Sequence, residues 1–311
     1  MSMVARSRAL DLLKIAMAVM VVGIHSNPFH PFGRTAILLT GEGIYRLAVP
    51  VFFVINGYFF YSTAQSGRVI GYLRRTATLF ALWMVIYLPI SWVYYAAQTP
   101  LGFWRELLLG YWHLWYLSGL TLAAALAGLT RYWSTAALLT LGGICYLIGA
   151  AITWGVAWDQ IDPWVSPHFH RNGLTLGLPF LLLGYMIRRH DLVGRCDLRA
   201  LAIAATGAVA LVLAESLGLA RIAPLGVGHD NLLSLLLAAP LLVMLALKLP
   251  GSSGPSLGLW SSGLYFTHII PCALLFRLTD LSHPVIFGLT LVTALAMTGL
   301  LIRTGLARRL F

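Results

Sequence analysis

The chain has 311 residues, of which 59% are hydrophobic and only 10% charged. A soluble globular protein carries about 25% charged residues, so that class is excluded. The net charge is +11, but the basic residues sit in short segments between apolar runs. That is the topology signal of a membrane protein and not a nucleic-acid binding surface.

The first apolar run follows Arg6 and Arg8, holds Lys14 and has no small-residue cleavage site, so it reads as a retained helix. Asp11, Lys14 and His25 are its ionisable residues. Lys14 and His25 lie three turns plus roughly 20° apart and about 16 Å along the axis, so they share a face, with Asp11 on the same stripe. Charges in hydrocarbon are costly unless they pair or face a wet cavity, which marks the stripe as a functional-site candidate. The plainer alternative has Asp11 and Lys14 snorkelling to one interface and His25 resting at the other.

Further apolar runs of span length lie at 44–63, 73–96, 113–130, 134–154, 172–188, 199–218, 231–249, 257–279 and 283–306. With 9–27 they predict an all-α polytopic protein of about ten spans in a single domain over 1–311. With the N-terminus inside, the inner segments hold Arg68, Arg74, Arg75, Arg131, Arg188, Arg189, Arg195, Arg199 and Lys248, and Arg303, Arg308 and Arg309 close the chain. The outer segments hold Arg34, Arg46, Arg105, Arg171, Arg221 and Arg277. This bias predicts both termini in the cytoplasm.

Among the connections, 97–112 reads as a short interfacial helix with Trp104 and Arg105 at headgroup level. The outer loop 155–171 gathers Asp159, Asp162, His168, His170 and Arg171, and 249–256 is a flexible inner connector. Cys145, Cys196 and Cys272 have no metal-ligand spacing, and no metal site is expected. No inverted repeat is visible.

The orientation puts His25, Arg46, His113 and Arg171 at one depth in four different helices, with His268 about two turns deeper than Arg277. Polar groups at one level on separate helices converge on a cavity. A histidine there suits general-base work. Taken singly, Arg46 also reads as a snorkelling residue, His113 as part of an aromatic belt, and His268 as a buried hydrogen-bonding group. Arg74 and Arg75 either meet donor phosphates through their forks or anchor the inner face.

These residues resemble a known family. The pattern Asp11-x-x-Lys14-x10-His25, the run Leu47-Ala-Val-Pro-Val-Phe-Phe-Val-Ile-Asn-Gly-Tyr58 and His113-Leu-Trp-Tyr-Leu117 are similar to the acyltransferase-3 family of integral membrane acyltransferases. So are Arg171-Asn-Gly-Leu174, Pro179-Phe-Leu-Leu-Leu-Gly-Tyr185 and Tyr265-Phe-Thr-His268, in the same order. The resemblance implies a ten-helix core that moves an acyl group, usually acetyl, from acyl-coenzyme A to a hydroxyl of an envelope carbohydrate or lipid-linked glycan. It makes His25 the catalytic base and assigns Asp11 and Lys14 to the same catalytic face. Arg46, His113, Arg171 and His268 would then bind substrate, and Lys14, Arg74 and Arg75 the acetyl-CoA donor. Membrane lipids are the expected surroundings and nucleic acid is not an expected partner. The family's usual arginine is replaced by Lys14, which keeps the charge and loses the bidentate fork, and its Ser-Gly by Asn56-Gly57. Lys14, Asn172-Gly173 and Pro179-Phe180 resemble the branch that contains the membrane domain of vancomycin-resistance serine racemases. That branch implies a rival function, transport of a small polar solute such as serine. The chain stops at Phe311, so no racemase domain is expected after it.

Overall fold

The computed structural model describes residues 7–96, 99–158, 160–161, 169–222, 229–252, 254 and 256–311. It is all-helical: among the described residues the only β-bridge is an isolated one, pairing Ser7 with Ser252. Asp159, Asp162 and His168 of the loop at 155–171 lie outside the described residues.

Helix α1 (Arg8–Ser26) starts where Ser7 caps it, the Oγ accepting the Leu10 N–H at 3.2 Å. It stops at Asn27, which turns left-handed (φ 45°) and returns its N–H to the Gly23 carbonyl at 2.9 Å. Short α2 (Arg34–Leu39) and a 3-10 turn (Ile44–Leu47) lead into α3 (Ala48–Gln65). Then follow α4 (Val69–Ala96), α5 (Pro100–Leu109), a 3-10 turn (Trp112–Leu114), α6 (Trp115–Leu129) and α7 (Thr135–Ala157). A π-helical turn (Gly173–Gly177) runs into α8 (Leu178–Arg189), and α9 (Leu192–Arg195) precedes α10 (Leu198–Ile222). The chain ends with α11 (Leu235–Lys248), α12 (Ser256–Thr267), α13 (Ile269–Leu278), α14 (His283–Arg303) and α15 (Ala307–Leu310).

Among the described residues, seven stretches are long and apolar enough to cross a membrane: Arg8–Ser26, Arg34–Gln65, Val69–Trp92, Thr135–Ala157, Leu198–Ile222, Leu257–Leu278 and His283–Arg303. The three other predicted spans fall on α6, on the π-turn with α8, and on α11. These are shorter, at 15, 12 and 14 residues for the α-helices. Within 97–112, where a short helix is predicted, the structure has α5.

The closest packing joins α3 and α8, and it depends on two glycines. A Cβ on Gly57 would stand 1.9 Å from the Leu181 carbonyl oxygen, and one on Gly184 would stand 2.0 Å from that of Val54. Small residues let helix backbones meet this closely in lipid. The connector after α11 is tied down: besides its bridge to Ser7, Gly251 accepts the Arg8 N–H at 3.2 Å.

The span predicted as one helix over 257–279 is broken at His268. Pro271 has no N–H for the Thr267 carbonyl, and its ring crowds that position. Side chains take further carbonyls nearby: Tyr87 Oη donates to Phe266 O at 2.6 Å and His268 Nδ1 lies 2.7 Å from Tyr265 O. A ring inserted into the i→i−4 ladder kinks a helix.

Candidate functional site

The predicted ring of polar groups does converge. His25, Arg46, His113 and Arg171 line one cavity of about 280 Å³, together with Trp112, Trp115, Asp230 and Tyr265. The histidines and Arg171 are delivered by helix ends or irregular turns. His25 comes from the last turn of α1. His113 sits in the 3-10 turn before α6, next to Trp112, whose backbone is left-handed (φ 49°). A non-glycine residue there costs on the order of 1 kcal/mol, and such strain gathers at functional sites. Arg171 precedes the π-turn, which Asn172 caps by accepting the N–H groups of Leu174 and Thr175 at 2.7 and 3.0 Å.

His268 does not line the cavity itself but closes a cluster of three imidazoles. Ring centres are 5.4 Å apart for His25 and His268, 6.2 Å for His25 and His113, and 4.9 Å for His113 and His268. His25 also stacks on Trp112 at 6.3 Å. His268 Nδ1 faces two carbonyls, Tyr265 O at 2.7 Å and Leu264 O at 3.2 Å. Carbonyls only accept, so Nδ1 carries the proton and Nε2 is a bare acceptor. That Nε2 is buried without a hydrogen-bond partner, as are both ring nitrogens of His113 and Nε of Arg46. Each orphaned buried polar atom costs about 1–3 kcal/mol, which a ligand's polar atoms or water would recover.

Around the rim the charges are already paired. Arg46 holds Glu42 at 2.7 Å and forms a second ion pair with Asp230. Asp230 also meets His170 at 3.1 Å and Arg171 at 3.7 Å. Burial works against ionising Asp230, but Arg46, Arg171 and His170 outweigh it and hold the carboxyl well below its usual range. Glu42 also accepts the His229 N–H at 2.7 Å. Arg46 is therefore engaged on both sides, whereas Arg171 is one-third exposed and stands 5.8 Å over the Trp115 ring. Sequence reading passed over Asp230 as the loop residue before a predicted span. A polar Asp230-Asn231 pair heading an apolar run was the available signal.

At the other end of α1, Lys14 Nζ is 3.2 Å from the buried Asp11. Lys14 lines a second cavity, of about 420 Å³, with Asn56, Tyr72, Arg75, Tyr116, Ser261 and Ser262 among its walls. Asn56 is its polar hub, donating to Tyr116 Oη at 2.7 Å and accepting from Tyr72 Oη at 3.0 Å. Arg75 donates to the Phe311 carbonyl at 3.3 Å. Arg74 is exposed and does not join this wall. Tyr265 lines both cavities and donates its hydroxyl to the His113 carbonyl at 2.6 Å. Tyr265, in ring contact with Tyr116 and Phe52 of the lysine cavity, thus forms with them an aromatic layer where the two cavities meet.

Three relatives share parts of this sequence. A serine/alanine racemase of Enterococcus gallinarum is 30% identical over 216 residues, 60% of this chain and 30% of the racemase. Two amino-acid racemases of Enterococcus faecalis are 36% identical over 96 residues and 25% identical over 125. Those matches cover 28% and 38% of this chain and 13% and 18% of the relatives. The chain thus spans less than a third of the length of these relatives. No solved structure matches it. The family model described as an acyltransferase domain matches residues 7–303, from the cap of α1 to the end of α14. The chain therefore belongs to the acyltransferase-3 family.

Proposed function

We propose that the protein is an inner-membrane O-acyltransferase that moves an acetyl group from acetyl-CoA to a hydroxyl of an envelope carbohydrate. The single observation that carries this reading is the histidine cluster: His25 gathered with His113 and His268, whose buried ring nitrogens include three without partners, at one end of α1, with a cavity holding Lys14 and Arg75 at the other end. About 16 Å of helix separates Lys14 from His25, the reach of a pantetheine arm. The donor enters at the Lys14 end, which the charge bias puts in the cytoplasm. Lys14, held by Asp11, and Arg75 meet its phosphates, with Arg74 outside the cavity mouth. The thioester carbonyl passes the Tyr265 layer into the His25 cavity.

There the acceptor hydroxyl gives its proton to a ring nitrogen of His25 as its oxygen bonds to the thioester carbon. The developing oxyanion is met by Arg171 and a ring N–H of His113. His268 stays an acceptor and orients the acceptor hydroxyl or His25. The tetrahedral centre collapses with cleavage of the C–S bond, and the thiolate takes the proton back from His25. Arg46 keeps the rim in place through its two carboxylates. Ten spans with both termini in the cytoplasm complete the reading.

Purified protein in liposomes, given acetyl-CoA and an envelope glycan fraction, tests it. Wild type should release free thiol and acetylate the glycan, and His25→Ala should insert normally and do neither. Retained transfer by His25→Ala removes the base assignment.

A second reading is transport of a small amino acid. The name of the Enterococcus gallinarum relative points to serine and alanine, and two cavities that meet at an aromatic layer also suit alternating access. Flux of labelled serine into the same liposomes without thiol release would establish it and displace the enzyme.

A further inference from the structure

A third cavity, of about 430 Å³, opens beside the histidine site between α5, α6 and the π-turn. It shares Trp115 and Arg171 with the His25 cavity, so the two are neighbours across one cation–aromatic pair. Its walls include Leu108, Leu122, Phe169 and Leu174, all of them exposed large apolar side chains. The charged residues among its walls are Arg105 and Arg171, both cationic. The groove also has a polarity along its length. Trp115 begins α6 at the histidine end, and Leu122 lies seven residues, about 10 Å, further into the helix. Arg171 therefore lies at the Trp115 end of the groove, while Leu122 lies further along α6; Arg105 lines the groove from α5, where its guanidinium also stands 3.5 Å from the Glu106 carboxylate.

That gradient is the shape of a lipid: a cationic clamp above a chain-wide apolar slot. Arginine forks match phosphate oxygens. We propose that the acceptor reaches the site as the head of a membrane amphiphile. Its hydrocarbon chain lies along α6 against Leu122 and Leu174, its phosphate or diphosphate sits between Arg105 and Arg171, and its hydroxyl-bearing head passes over Trp115 to His25. The groove would select carrier-linked acceptors over free sugars, because a free sugar fills neither the slot nor the clamp. The acceptor's identity as substrate rests on the acyltransferase reading; binding of the phosphorylated chain does not.

The test uses the full chain in nanodiscs and a photoreactive isoprenoid chain ending in phosphate, compared with the same chain ending in a hydroxyl. Cross-links are mapped by mass spectrometry. The phosphorylated probe should label α6 and the 169–174 segment about tenfold more than the alcohol, the value of one lost charge-assisted contact. Leu122→Trp, which fills the slot, and Arg105→Gln, which removes half the clamp, should each lower that labelling by a similar factor. Leu147→Trp, on the exposed face of α7, should not. Equal labelling by phosphate and alcohol, or labelling spread over α7 as well, means ordinary lipid fills the groove and overturns the proposal, and because that comparison uses wild-type protein it stands even if a variant fails to fold. Thiol release from acetyl-CoA, measured in the same discs, separates the two readings. Labelling without thiol release sinks the enzyme and keeps the lipid site, and thiol release without selective labelling does the reverse.

Discussion

The two ends of α1 solve opposite problems. At the Lys14 end the polar groups are satisfied: lysine pairs with aspartate, and Asn56 is bonded to two tyrosines. At the His25 end the rim charges are just as well paired, but inside them both ring nitrogens of His113 and Nε2 of His268 are not. A satisfied cavity can hold a ligand without rearranging. An unsatisfied one gains free energy only when something with donors and acceptors arrives. The difference fits the proposed division, with positioning at the lysine end and chemistry at the histidine end.

The sharpest break of that contrast is His25→Ala. General-base removal typically costs about 10²–10⁴-fold in rate, so acetyl transfer should vanish from a chromatographic assay. Equilibrium binding of acetyl-CoA at the lysine end should be unchanged. If donor binding falls together with transfer, the two ends are one site and the division fails.

Asp230→Asn should produce the next largest effect, on stability. Leaving a buried charge wholly uncompensated costs about 3–5 kcal/mol; here Arg46 and Arg171 both lose a partner, but Arg46 keeps Glu42 and Arg171 is one-third exposed, so the cost should stay below that figure. Thermal unfolding followed by fluorescence-detected gel filtration should show a large downward shift. The pH dependence follows from the sign. The folded carboxyl titrates below its ordinary value, so its contribution is complete above the unfolded value of about 3.9. It fades as pH falls through that value toward the folded one. Asp230→Asn should flatten that acid limb; an unchanged limb means another carboxylate carries it.

Lys14→Ala should be milder: KM for acetyl-CoA rises about tenfold, the worth of one charge-assisted contact, with kcat little changed. Lys14→Arg should restore affinity, since the guanidinium adds a fork to the same charge. A fall in kcat would place Lys14 at the reacting end and blur the comparison.

What could be read from sequence follows chain distance. Apolar runs give each main helix, because burial in lipid is written residue by residue. The Lys14–His25 stripe is legible because both lie on one helix with fixed pitch. The arginine pairing is not: Arg46 meets Asp230 across 184 positions and Tyr265 meets His113 across 152. No local period records such contacts. The break at His268 was half-written, in Pro271, while the other half depends on Tyr87 reaching across from α4. The α3–α8 contact hid in Gly57, whose role appears only once Leu181 is placed against it.

Tyr265→Phe tests the layer between the two ends and should have the smallest effect. The ring stays, so the wall against Phe52 and Tyr116 stays. The hydroxyl's bond to the His113 carbonyl is lost, worth about 0.5–1.5 kcal/mol. If that bond fixes His113, kcat should fall a few-fold with KM for acetyl-CoA unmoved, because the proposed site for the donor's phosphates lies at the other end. If the hydroxyl instead guides the donor arm through the layer, KM should rise and kcat hold. The first pattern keeps Tyr265 with the histidines, and the second moves it to the lysine cavity and puts the boundary between the two regions at Tyr116.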